Sequence, residues 1–216
     1  MFSMAAFQRA YETEKKRIVI QGRAFTLHVP RSIDAFIDPQ DLLAHFPLWA
    51  KIWEGSWVLA DEIARMPVEP DKIFIEIGSG IGLVGVAGDI FGHRFTVTEH
   101  DAHAIDFIQA NAFENGCTQL EVHRLDWYKP DLTRRYDYVV GSEVVYTEKD
   151  FEPLRELFRK LLKPGGQIFL ALGTRKCVGT FWESLQDEYR IEVRKKVLTA
   201  GAEKIPIALI RLTAKR

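Results

Sequence analysis

From Ile73 onward, short apolar runs alternate with longer stretches of helical spacing, and this alternation predicts the architecture. Ile73 to Ile77 reads as a buried strand and Leu83 to Phe91 as a helix. Phe95 to Thr98 follows as a strand, Ala102 to Asn115 as a helix ending at Gly116, and Leu120 to Arg124 as the next strand. Tyr138 to Gly141 is a strand, and Phe151 to Leu162 a helix stopped by Lys163-Pro164-Gly165-Gly166. Gln167 to Leu172 and a helix over Phe181 to Glu188 lead to two closing strands, Arg190 to Val197 and Ile205 to Leu212. Strands alternating with helices imply a parallel sheet covered on both faces. The closing strands have only a loop between them, so they pair antiparallel. The expected class is α/β: a doubly wound sheet of seven strands, mostly parallel, with an antiparallel C-terminal hairpin.

Ahead of Ile73 the pattern is less regular. Residues 1–15 fit a short amphipathic helix. Arg17 to Ile20 and Ala24 to Val29 flank Gln21-Gly22-Arg23 as a β-hairpin. Asp41 to Phe46 fits a short helix stopped by Pro47, and Trp57 to Arg65 a helix ended by Pro67 and Pro70. Trp49, Trp53 and Trp57 come four apart and would share a face if helical. No repeat or linker is visible. The expectation is one domain over 1–216, with residues 1–66 an N-terminal elaboration forming a lid and 67–216 the core.

Composition narrows the function classes. The chain has 216 residues and a formal net charge of −1, which gives no bulk attraction to nucleic acid or to an anionic membrane. Cys117 and Cys177 stand alone without a CxxC, so a reduced, cytoplasmic setting is expected, with no metal. No apolar run reaches the ~18 residues of a membrane span. The N-terminal segment turns charged where a signal peptide would turn apolar. No exposed apolar stripe stands out, so a monomer is expected.

The chemistry concentrates in Ile73-Phe74-Ile75-Glu76-Ile77-Gly78-Ser79-Gly80-Ile81-Gly82. A strand feeding a glycine-rich turn and a helix is a nucleotide-binding device, because glycines let backbone approach a ligand. Two registers compete. Gly80-Ile81-Gly82-Leu83-Val84-Gly85 is a literal GxGxxG with Glu99 ending the next strand, the dinucleotide fingerprint of an NAD(P)-dependent oxidoreductase. The other register begins at Gly78, two residues earlier, and carries Glu76 near the strand end. A buried carboxylate needs a partner, and the ammonium of S-adenosylmethionine (SAM) is one, whereas a diphosphate would be repelled. The loop also lacks a basic residue, which favours the SAM register. A purely structural glycine turn is the third possibility.

Glu99 is placed to accept two ribose hydroxyls. Asp101 is its rival and fits better as the cap of the following helix. His100 and His103 beside it are read as exposed, without chemistry. Asp126-Trp127 follows the third strand of the alternating region, where an aromatic ring can cover adenine and a carboxylate can meet its amine. A core tryptophan beside a turn aspartate is the plainer alternative.

Taken together, Glu76-x-Gly78-x-Gly80-x-Gly82, Glu99, Asp126-Trp127 and Lys163-Pro164-Gly165-Gly166 resemble class I SAM-dependent methyltransferases. Finer features resemble the seven-β-strand protein-lysine methyltransferases, the branch that includes the enzyme acting on electron-transfer flavoprotein β. These are Trp53 with Ser56 and Leu59-Ala60, Gly82-Leu83-Val84-Gly85, Asn111 and Asn115, Asp126-Trp127, and Gly141-Ser142-Glu143-Val144-Val145-Tyr146. The resemblance covers roughly residues 49–172 and implies a Rossmann-like fold and methyl transfer from SAM to a protein lysine. A small-molecule N- or O-methyltransferase is the alternative. It further implies a SAM site made by Trp53, Glu76, Gly78, Ser79, Gly80, Gly82, Glu99, Asp126, Trp127 and Ser142, with Glu143 and Tyr146 catalytic. The branch usually carries Asp-x-x-Tyr where this chain has Glu143-Val144-Val145-Tyr146. The Asn-Pro-Pro-Tyr motif of amide and nucleobase amino-group methyltransferases is absent.

A lysine acceptor must lose its proton before it can attack. An acidic mouth with an aromatic wall would bind the cation, and burial would then favour the neutral amine. Glu143 and Tyr146 are expected to form that mouth.

Overall fold

A computed structural model describes residues 2–37, 46–174, 176–200 and 203–215. A seven-stranded sheet, ordered β5-β4-β3-β6-β7-β9-β8, forms its centre. The strands are β3 (Ile73–Ile77), β4 (Arg94–Glu99), β5 (Glu121–Arg124), β6 (Tyr136–Ser142), β7 (Leu162–Gly173), β8 (Tyr189–Ala200) and β9 (Glu203–Ala214). β3 through β7 run parallel; β9 lies antiparallel between β7 and β8. The expected fold class stands.

Side-chain parity divides the core in two. On β3, Ile73, Ile75 and Ile77 face α5 (Phe151–Leu161) and α6 (Lys176–Leu185), with Leu154, Leu157, Phe158 and Leu161 presenting one helical stripe. Phe74 faces the other way, toward α2 (Glu54–Arg65), α3 (Leu83–Ile90) and α4 (Ala102–Glu114). Glu76 has the parity of Phe74 and therefore points beneath α3. α3 lies unusually close to the sheet: a Cβ on Gly85 would stand 2.0 Å from Val97, and one on Gly88 2.3 Å from Phe95.

The N-terminal part consists of α1 (Met4–Ala10), then β1 (Thr13–Ile20) and β2 (Arg23–Pro30) in a separate hairpin. Gln21 and Gly22 both take positive φ, +47° and +78°, as a tight two-residue turn requires. The expected helix over 1–15 stops at Ala10, because Thr13 to Lys16 pair with the end of β2. The hairpin docks through side chains that stand in for a neighbouring strand. Asn111 Oδ1 accepts from the His28 N–H, and its Nδ2 donates to the His28 and Ile81 carbonyls; Asn115 clasps Thr26 in the same way.

Other differences from expectation have local causes. α2 starts at Glu54, with Trp53 extended as its cap, and Trp49 lies in a 3-10 turn. The three tryptophans therefore share no helix face. Leu59, Ala60 and Ile63 of α2 are fully buried in the layer that also holds α3, so α2 belongs to the sandwich and not to a lid. Lys163-Pro164-Gly165-Gly166 is drawn into the start of β7 across a register shift against β6. α6 ends at Leu185, three residues before its expected end. The helix expected over Asp41 to Phe46 lies outside the described residues except for Phe46, which is not helical. Among the described residues, no helix is long and apolar enough to cross a membrane.

Candidate active site

The carboxyl edge of β3, β4 and β6 opens into a cavity of about 240 Å³. Its floor is the turn after β3. Gly78, Gly80 and Gly82 all take positive φ (+61°, +56° and +87°), a backbone that side-chain-bearing residues avoid. Space is as restrictive as angle: a Cβ on Gly78 would meet the Trp127 ring at 3.0 Å, and one on Gly80 the Trp49 carbonyl at 3.1 Å.

The amides of this turn are largely spoken for. Ser79 donates to Thr98 O at 3.0 Å and Gly82 to Ser79 O at 2.9 Å. Gly80 donates to Glu99 Oε2 at 2.9 Å and Gly85 to Glu76 Oε2 at 3.0 Å. A diphosphate held on a glycine loop needs such donors free. The dinucleotide register therefore finds the amides of Gly80, Gly82 and Gly85 already engaged, and its third glycine is accounted for by the contact with Val97.

Glu99 stands at the junction of the turn and the cavity. Its Oε1 accepts from the His100 N–H at 2.8 Å, opposite the bond from Gly80. Burial pushes its carboxyl up, against the pull of the Gly80, His100 and Asp101 amides. Lone pairs remain on both oxygens for hydroxyl donors. Asp101 caps α4, accepting from His103 and Ala104, as its rival reading required. His100 and His103 are exposed, and His100 borders the cavity.

Of the expected site residues, Trp53, Gly78, Ser79, Gly80, Glu99, Trp127, Ser142 and Tyr146 line this cavity. Four are set back from it. Gly82 shapes the turn and packs on Ile108. Asp126 Oδ1 accepts from the Tyr128 N–H at 2.9 Å and closes a turn. Glu76 is wholly buried beneath α3, its Oε1 without a hydrogen-bond partner. Burial raises its carboxyl to about 8, with the Gly85 amide and the Ser79 hydroxyl acting the other way. Strand parity places Glu76 under α3, set back from the cavity lining and next to Ser79, which does line it.

Glu143 is the fourth residue set back from the cavity lining. Its φ is +54°, rare for a side-chain-bearing residue. That backbone turns the side chain behind the cavity wall, where it is 4% exposed. Oε1 accepts from the Gly173 N–H at 2.9 Å, and its own N–H donates to Ala171 O. A Cβ on Gly55 would lie 2.8 Å from Oε1, so Glu143 ties the ends of β6 and β7 to the start of α2. Tyr146, by contrast, sits at the mouth with 37% of its surface exposed.

The remaining wall comes from residues 46–53. Trp53 Nε1–H donates to Leu48 O at 2.7 Å and holds this segment in a compact loop. Lys51, absent from the expected site, lines the cavity with its Nζ 4.4 Å over the Trp53 ring. Its position between Trp49 and Trp53 was the only available signal. Among the described residues, no group of three His, Cys, Asp or Glu side chains could hold a metal ion.

A family model described as lysine methyltransferase matches residues 49–188. Protein N-lysine methyltransferase METTL21A of Xenopus tropicalis is 27% identical over 128 residues, 56% of this chain and 59% of its own length. EEF1A lysine methyltransferase 3 of Mus musculus is 31% identical over 147 residues, 65% of this chain and 63% of its own. The matches thus span about three-fifths of these relatives. Among solved structures, Pyrococcus horikoshii TYW2 in complex with MeSAdo superposes with a TM-score of 0.61 at 14% identity, over 94% of this chain and 72% of its own. Precorrin-6y C5,15-methyltransferase of Geobacter metallireducens gives 0.58 at 19%, over 83% and 94%. At such identities these two structures share the fold alone.

Proposed function

The chain belongs to the lysine methyltransferase family, and from that membership we propose that it transfers a methyl group from SAM to a lysine side chain of a protein substrate. The observation that carries this reading is the glycine cradle beside Glu99 and Trp127. A Cβ at Gly78 or Gly80 would fill it, and it offers an acid and an aromatic ring but few free amides. That donor set fits a nucleoside with an amino-acid tail and not a diphosphate.

When bound, SAM supplies a methyl already activated by its sulfonium. Glu99 would accept the ribose hydroxyls with the lone pairs its backbone bonds leave free. Trp127 would cover the base, and Ser79 and Ser142 would border the tail. Trp53 closes the opposite wall and excludes water. Tyr146 flanks the incoming lysine at the mouth, its ring favouring a cation and its hydroxyl orienting the amine as it loses its proton to solvent. Glu143 acts indirectly, by holding the Ser142–Tyr146 segment in place. We further propose that the protein works as a cytoplasmic monomer without nucleic acid, a reading supported by its two free cysteines and its near-neutral charge.

The test is incubation with methyl-labelled SAM and a cell lysate. Label in a discrete protein band, recovered on lysine by mass spectrometry, is expected. Label confined to low-mass material would overturn the protein-substrate reading in favour of a small-molecule acceptor.

A further inference from the structure

SAM carries two cationic groups and one carboxylate, and the acids bordering the cavity, Glu99 and Asp101, would repel the carboxylate. The carboxylate needs a donor. The glycine turn is poorly supplied, since the amides of Ser79, Gly80, Gly82 and Gly85 already donate within the protein. Among the described residues lining the cavity, Lys51 is the one lysine or arginine.

Its location is constrained. The Nζ rests over the Trp53 ring, and Trp53 is pinned to Leu48 O. The Trp49 carbonyl abuts Gly80, so the loop bearing Lys51 is packed directly on the glycine turn. Its acidic neighbour Glu54 is 3.4 Å away, a loose exposed pair that leaves ammonium hydrogens for another acceptor. We infer that Lys51 binds the carboxylate of the cofactor's methionyl end and thereby fixes its orientation. A cation there repels the sulfonium and the ammonium, so the tail can settle only with its carboxylate toward Lys51. This assignment rests on the SAM reading above.

The experiment compares two probes by calorimetric titration: S-adenosylhomocysteine, and its decarboxylated analogue, which keeps the amine. Lys51→Met should weaken S-adenosylhomocysteine binding about tenfold, as loss of a charge-assisted hydrogen bond implies. The same variant should bind the decarboxylated analogue as well as wild type does, or better. Lys51→Arg should retain most of the affinity for S-adenosylhomocysteine. Equal losses for both probes would make Lys51 a mere support for Trp53 and overturn the assignment, as would no loss at all. A wild-type protein that binds neither probe would instead overturn the SAM reading itself.

Discussion

The carboxylate of Glu99 and the amide of Gly80 meet at 2.9 Å, so the acid that ends β4 is also a strut of the turn that ends β3. The proposed ribose ligand and the backbone support are one group. Glu99→Ala should therefore lower S-adenosylhomocysteine affinity at least tenfold and destabilise the fold by about 1–3 kcal/mol. Calorimetry and urea denaturation measure the two effects. Unchanged affinity would remove Glu99 from the site.

Glu76 should govern part of the pH dependence of stability. Its carboxyl ionises at about 8 when folded, against an ordinary value of 4.5. Between these values the unfolded chain releases a proton that the folded chain keeps. The contribution is fully present below about 4.5 and is lost as pH rises through about 8. Glu76→Gln, which can still accept from Gly85, should flatten that slope and be the more stable form at high pH. Urea titrations across this pH range would show it; an identical slope in the variant would contradict the assignment.

Asn111 serves three backbone groups at once, all in a buried position. Asn111→Ala strands the His28 amide and two carbonyls and should cost about 3 kcal/mol. Hydrogen exchange should rise first at the amides of Thr26 and His28, the two that Asn115 and Asn111 accept. A loss below about 0.5 kcal/mol, within the range of ordinary surface substitutions, would mean that water replaces the side chain without penalty.

Two glycines separate steric need from conformational need. Gly85→Ala places a methyl 2.0 Å from Val97 and should destabilise by about 3 kcal/mol. Gly116→Ala meets nothing within 4 Å and carries only the strain of φ +68°, about 1–2 kcal/mol. Thermal or urea unfolding ranks them, and the reverse order would refute the account of how α3 packs.

Much of this was legible beforehand, for physical reasons that differ by element. β3 declared itself because its five residues, flanked by strands on both sides, are apolar but for Glu76. α4 was bounded by Asp101 and Gly116, a side-chain cap and a left-handed stop. Gly78, Gly80, Glu99 and Trp127, which line the cavity, could be singled out because a glycine-rich turn at a strand end constrains residue type. For Glu76 and Glu143 the residue type was legible but the direction of the side chain was not. Which face of β3 carries α3 follows from packing of the whole sheet, and nothing in Ser142-Glu143-Val144 announces a left-handed residue. Lys51 was passed over because its neighbour Trp53 is positioned by a bond to Leu48 O that no periodicity predicts.

The position of β9 has a consequence for the order in which the molecule is built. β8 leaves the ribosome before β9, yet among the described residues its sole neighbour in the sheet is β9, and the outer edge of β7 faces that same gap. The nascent chain must therefore carry two unmated strand edges until residues 203–214 have emerged, and only their insertion completes the hydrogen-bonded array.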